Sequence, residues 1–312
     1  MKKIINDRKQ VVSDMIDGIL AAYNREYKSV NGVKGIVRRE KKDKVAVVIG
    51  GGSGHEPLFF GFVGEGLADG VAIGNVFAAP TPDTILEVTK AVNAGKGVLY
   101  IYGNYAGDVL NFDMAAEMAE EEGIPTRTVR VWDDVASAPP ERKEDRRGIA
   151  GDVFVIKIAG AAADKGLQLE EVTRIAEKAR DRTYSIGVAL SPGSIPDTGQ
   201  PTFTLPDDEI EFGMGLHGEP GVRRTRMMQA NELTVEMMDR LIEDSGLKEG
   251  DETVVLVNGL GSTTLMELFI VNKSVAAYLQ QRGIRIFDTE VNNYCTCQEM
   301  SGVSISLLKL DE

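Results

Sequence analysis

The sequence is poor in cysteine, histidine and positive charge, and it has no long apolar run. Its two cysteines, Cys295 and Cys297, stand two positions apart. On a strand they would share one face and could not close a normal disulfide. No further ligands accompany them as a metal site would need, so they read as reduced structural thiols and no metal is expected. Lysine and arginine together number 35 against 48 aspartates and glutamates, a formal net charge of −13. That balance argues against nucleic acid and anionic membrane surfaces as partners. No segment approaches a membrane span, and the opening MKKIINDR lacks the apolar core of a signal peptide. A cytoplasmic, non-membrane protein is expected.

With 312 residues, 43% of them hydrophobic and 27% charged, the chain is long enough for two globular domains. The first half alternates short β-rich runs with amphipathic stretches. Residues 45–49, 98–102 and 126–132 read as strands, and 84–94, 109–122 and 152–165 as helices. This rhythm predicts an α/β fold whose first domain has a mainly parallel, doubly wound sheet, with functional loops beyond the carboxyl ends of the strands. The charged stretch PPERKEDRR at 139–147 reads as a solvated loop. The turn-rich PGSIPDTG at 192–199 marks a loosely placed border nearby. We take residues 1–184 as an N-terminal α/β domain and 185–312 as a C-terminal one. In the latter, 185–191, 209–216, 252–257, 285–289 and 304–310 read as strands and 234–244 and 264–282 as helices.

Both histidines, His55 and His217, lie in glycine-flanked loops with a Glu-Pro pair, GSGHEP and GMGLHGEPG. Glycines beside a side chain permit unusual backbone angles and the close approach of a ligand. The run Gly50-Gly51-Gly52-Ser53-Gly54 follows a strand, so its amides could form an anion-holding nest. Sharper motifs fail. A dinucleotide GxGxxG from Gly50 or Gly52 ends on His55 or Pro57, GxxxxGK[ST] is absent, and GxSxG fails because His55 stands where its last glycine should be. Asp108, in NYAGDVLNF, sits at a strand-to-helix turn, where a carboxylate can cap a helix beginning at Val109 or act as a general base.

GGGSGHEP, NYAGDVLNF and EFGMGLHGEPG resemble the K subunit of dihydroxyacetone kinases, as do PTPDTI at 81–86 and the C-terminal YCTCQEMSGVSISLLKLDE. The match is ordered and runs over nearly the whole chain. The resemblance implies a subunit that holds a short ketose through a covalent hemiaminal on His217. It assigns Asp108 as the base at the accepting hydroxyl, His55 as a hydrogen-bonding partner, and Gly52, Ser53 and Gly54 as lining the substrate. It implies no cofactor on this chain: nucleotide and Mg belong to a separate L subunit, with ATP or a phosphotransferase-system phosphocarrier as ultimate donor. Homodimers are expected on the same ground. One departure stands out. Where many relatives carry lysine before the Asn-Tyr pair, this chain has Gly103, which removes a charge, leaves more room, and raises a four-carbon ketose such as erythrulose as substrate. Two further readings stay open: a ketose-sensing co-activator of a transcription factor, and a module whose glycine loop binds an anion such as a sugar phosphate.

Overall fold

The computed structural model describes residues 2–311. Its chain forms two compact units interleaved in sequence. The first comprises the chain up to Val131, Asp152–Lys178 and Ile195–Gln200; the second comprises Trp132–Gly151, Ala179–Ser194 and the chain from Pro201 on. A border at 184/185 falls inside a strand, Thr183–Ser191.

In the first unit the elements run α1 (Val11–Ala22), β1 (Tyr27–Ser29), β2 (Gly35–Arg38), β3 (Ala46–Ser53), β4 (Gly70–Val76), α2 (Pro82–Val92), β5 (Val98–Gly103), α3 (Ala106–Glu121), β6 (Thr126–Val131) and α4 (Asp152–Asp164). Helix α5 (Leu169–Asp181) continues past the unit's edge at Lys178. The six strands are ordered β1-β2-β4-β3-β5-β6. From β4 to β6 all neighbours are parallel, while β1 and β2 are antiparallel additions. This is the doubly wound sheet expected from the sequence. Every residue of β3 and β5 is buried, as the uninterrupted apolar runs of central parallel strands require. Val48, Tyr100 and Tyr102 pack with Ile85, Val88 and Phe112 of α2 and α3. Alternation sends Val47, Ile49, Leu99 and Ile101 to the other face, and α4 packs on the same two strands.

Strand β3 has β4 on one side and β5 on the other, so the connections leaving it and returning past it diverge at its carboxyl end. Open parallel sheets bind ligands at that kind of switch point. Strand β3 ends in GGGS with GHEP just beyond it, and Gly103 ends its neighbour β5.

The second unit holds β7 (Thr183–Ser191), β8 (Glu209–Phe212), β9 (Arg223–Arg226), α6 (Ala230–Ser245), β10 (Glu252–Gly259), α7 (Leu265–Gln281), β11 (Arg285–Asn292) and β12 (Ser301–Lys309). Its sheet order is β11-β10-β12-β7-β8-β9, and only the β10–β11 pair is parallel. Met237, Leu241, Val275 and Leu279 of the helices meet Ile186, Val255, Val257 and Ile305 of the sheet in one core. Helix α7 starts on a capping box between Thr264 and Glu267, and α6 stops at Gly246 with φ 60°.

Three local expectations are corrected. Strand β8 ends at Phe212 rather than 216, because Gly213 turns away with φ 72°. Residues 139–145 are exposed as expected, but Arg146 is buried, paired with Asp244 through two bonds of 2.8 and 2.6 Å. The cysteines lie in the loop between β11 and β12, not on a strand; both are free and buried.

Candidate functional site

The glycine run after Ile49 is mostly strand. Gly50, Gly51 and Ser53 are registered against Ala72, Ile73 and Val76 of β4, so an anion nest is not what they form. Their missing side chains make room for protein. A Cβ on Gly51 would fall on the Phe59 ring, and one on Gly52 would stand 2.7 Å from Ala78 N and 3.0 Å from Phe77 Cα. Ser53 Oγ donates to Gly74 O at 2.8 Å, and Phe77 N donates to Ser53 O at 2.9 Å. The chain then turns at Gly54, φ 102°, whose N–H donates to both Glu56 carboxylate oxygens at 3.0 Å. Burial pushes the Glu56 carboxyl up, and the Gly54 N–H opposes it.

His55 is 3% exposed, with its ring centroid 5.2 Å from that of Phe77. Phe77 has φ 56°. A bulky residue in the left-handed region is strained and needs its surroundings to hold it. Here the open face of Gly52 admits the Phe77 backbone, and the ring is set against His55.

Asp108 stands in the first turn of α3, which follows β5 beside β3, so the first unit brings the His55 and Asp108 segments to adjacent strand ends. It does not cap the helix: α3 begins at Ala106 with Tyr105 as its cap residue, and Asp108 lies in the first turn. There a carboxylate faces the positive end of the helix dipole. Beneath it Tyr102 stacks on Phe112 at 4.2 Å and 16°. The Tyr102 phenol is pushed up to about 12, chiefly by burial. Gly103 is not an open space: a Cβ there would lie 3.3 Å from the Tyr105 ring and 3.4 Å from Asp152 Oδ2.

His217 belongs to the second unit, on the loop after β8. Its Nδ1 lies 2.9 Å from Glu219 Oε1, and its backbone N–H donates to Glu219 Oε2 at 2.9 Å. The turn closes through Gly215 N to Glu219 O at 3.1 Å and Gly218 N to Gly215 O at 3.2 Å, with Gly218 at φ 85°. Burial works against the Glu219 carboxylate, but the His217 ring and the backbone N–H groups outweigh it and hold the carboxyl down at about 2. An ionised carboxylate can only accept, so the neutral imidazole must place its proton on Nδ1. The lone pair is then on Nε2, the arrangement a nitrogen nucleophile needs.

The two histidine loops and the start of α3 that carries Asp108 sit within a longer match: residues 17–312 match the Dak1 domain. The chain belongs to the Dak1 domain family. It is 44% identical to a Listeria innocua PTS-dependent dihydroxyacetone kinase 2, dihydroxyacetone-binding subunit DhaK, across all of this chain and 95% of that one. It is 42% identical to a Mycolicibacterium smegmatis D-erythrulose kinase, again over its whole length, but spans 54% of that enzyme. Among solved structures, the dihydroxyacetone kinase operon co-activator Dha-DhaQ superposes with a TM-score of 0.91 at 32% identity, over 96% of this chain and 92% of that one.

Among the described residues no group of three or more His, Cys, Asp or Glu side chains is placed to hold a metal ion. Three contributors escaped the sequence reading. Glu219 was visible as the carboxylate two residues after His217, although its contact with the ring was not. Asp134 and Arg147 carried no signal, because they reach the loop from far away in sequence. Arg147 Nη2 donates to Gly213 O at 2.8 Å across 66 positions, its Nε donates to Asp134 Oδ2 at 3.1 Å, and Nη2 lies 2.8 Å from that same oxygen.

Proposed function

We propose that this Dak1 chain is the ketose-binding subunit of a dihydroxyacetone kinase, capturing its substrate on His217 and presenting a hydroxyl for phosphorylation. The observation that carries the reading is the Nδ1 contact of His217 with an ionised Glu219. With the proton held there, the Nε2 lone pair forms a C–N bond to the ketone carbon, and the C=O π pair moves to oxygen, which takes up a proton. The positive charge left on the ring faces the Glu219 carboxylate and is discharged when the Nδ1 proton departs. Glycerol lacks a carbonyl and cannot form this adduct.

On the acceptor side Asp108 takes the hydroxyl proton and His55 hydrogen-bonds the same centre, with Gly52, Ser53 and Gly54 lining the ketose. Phosphoryl transfer depends chiefly on positioning and charge neutralisation, so a subunit that holds the hydroxyl in line does the acceptor's share. Nucleotide and Mg are assigned to a separate L subunit. The D-erythrulose kinase, of which this chain spans 54%, is consistent with that division. The PTS-dependent name of the Listeria relative supports a phosphocarrier as ultimate donor. We place the subunit in the cytoplasm as a homodimer.

A second reading, a four-carbon ketose such as erythrulose, is supported by Gly103 in the lysine position and by the erythrulose kinase relative. Intact-protein mass spectrometry with dihydroxyacetone and with erythrulose, before and after borohydride, tests both. A mass increase lost in His217→Ala supports capture, and the ketose giving the higher occupancy names the substrate. No increase with either ketose would overturn the reading. An adduct without turnover in the presence of the cognate L subunit would favour a regulatory role.

A further inference from the structure

The excursion between Asp134 and Arg147 is closed at its base by a buried ion pair. The two side chains are 1% and 15% exposed, and both Nε and Nη2 of the guanidinium approach the same oxygen, Asp134 Oδ2. Asp134 also accepts from Ala136 N at 3.1 Å, Asp134 N donates to Arg147 O at 3.1 Å, and Arg147 N donates to Ser137 Oγ at 3.0 Å. A buried ion pair is weak evidence for stability, since apolar side chains of the same volume fill such a place at lower desolvation cost. What this pair touches points to another role. Arg147 Nη2 donates to Gly213 O, the residue where the second histidine loop leaves its strand. Gly213 itself is packed under the excursion: a Cβ there would come within 2.5 Å of the Ala136 methyl. Further along, the point where a Gly215 Cβ would stand is crowded from two sides, by the Glu219 carboxylate and, at 2.6 Å, by Arg147 Nη1. The guanidinium and the Glu219 carboxylate are thus neighbours across Gly215.

We propose that the Asp134–Arg147 pair is the positioning device of the His217 loop: it fixes the loop's entry at Gly213 and sets a permanent positive charge beside Glu219, so that Glu219 stays aimed at His217 Nδ1. This rests on the reading of His217 as the capturing residue. Neither Asp134 nor Arg147 is assigned contact with the ketose; both act through Glu219. Cys297, which senses the Glu219 charge, supplies no positive charge. Arginine is suited to the task because its planar fork can bind Asp134 and Gly213 O while a third nitrogen faces Glu219, which a lysine ammonium cannot reproduce.

The chain has two histidines, so ¹⁵N imidazole spectra of the full-length protein give separable signals, with His55 as internal reference. In the ketose-free wild type we expect His217 as the Nδ1–H tautomer. In Arg147→Met we expect a tautomer mixture at His217 and an unchanged His55, with dihydroxyacetone adduct formation slowed about tenfold or more, as misplacement of a reacting group does. Arg147→Lys should recover part of the tautomer preference and part of the rate. Should Arg147→Met fail to fold, Asp134→Asn is read by the same spectra. A variant that keeps the Nδ1–H tautomer and the wild-type adduct rate overturns the proposal. If the wild type forms no adduct, the capture reading fails, while the ketose-free spectra still decide whether Arg147 governs the tautomer.

Discussion

Replacing Glu219 with glutamine keeps the side chain's size and removes its charge, which isolates what the carboxylate does for His217. The wild-type carboxyl is held at about 2, against 4.5 for an unperturbed glutamate. At about 1.4 kcal/mol per factor of ten, that difference corresponds to about 3 kcal/mol of preference for the ionised form. His217 and Glu219 side chains are 25% and 33% exposed, and solvent screening reduces the usable part to about 1.5 kcal/mol. Backbone N–H groups supply part of that depression, so the ring's share is at most this amount, and stabilising its positive charge during attack by about 1.5 kcal/mol corresponds to about tenfold in rate. Glutamine can also turn its amide NH₂ towards Nδ1 and favour the tautomer with its proton on Nε2, which cannot attack. We therefore expect Glu219→Gln to slow adduct formation with dihydroxyacetone about tenfold, followed by intact mass against time at neutral pH. The sign of the stability effect follows from the depressed carboxyl: its contribution is complete above 4.5 and is lost as pH falls towards about 2. An adduct rate in Glu219→Gln equal to the wild type would refute the role given to the carboxylate.

Gly52→Ala should drive a methyl into Ala78 N and Phe77 Cα at 2.7 and 3.0 Å, costing about 2 kcal/mol; urea unfolding that matches the wild type would contradict this packing. Phe112, fully buried between Tyr100 and Tyr102, should lose about 3–5 kcal/mol when cut to alanine, and a calorimetric midpoint unmoved by Phe112→Ala would show the stack to be unimportant. Burial, and after it the charges of Glu219 and Glu299, push the Cys297 thiol up to about 12. Both cysteines should therefore resist iodoacetamide at pH 8 in the native protein and react in urea, and rapid alkylation of the native chain would place them at the surface.

The parts of the fold that were legible in the sequence are those whose local pattern and tertiary role agree. Strands β3, β5 and β6 carry dense β-branched runs and end on glycine or a turn, so burial and propensity point the same way. Strand β4, GVAIGNV, gives a faint signal because its glycines weaken a strand on propensity alone. Those glycines are there for contact: Gly70 meets Val37, Val88 and Val92, and Gly74 meets the Ala78–Pro80 backbone. Strands β1, β2 and β9 have only three or four residues, too few for a periodic signal. Helix α5, by contrast, has an amphipathic pattern that is open to view in the sequence.

The chemistry was legible where a motif concentrates it and invisible where the fold assembles it. The two histidine loops show the difference within a few residues. In the first, Glu56 directly follows His55 and turns both oxygens back to the Gly54 N–H. In the second, Gly218 is inserted between histidine and glutamate, and its positive φ lets Glu219 hold the His217 backbone with one oxygen and Nδ1 with the other. One added glycine thus turns a carboxylate that only shapes a turn into one that also selects a tautomer, and HEP against HGEP can be read from sequence once that is known. Arg147 could not be found this way. Its charge serves Glu219 only because the excursion closed between Asp134 and Arg147 brings the guanidinium beside a loop 66 positions further on. Spacing along the chain can locate the His217 loop, but the guanidinium packed beside it is set by topology.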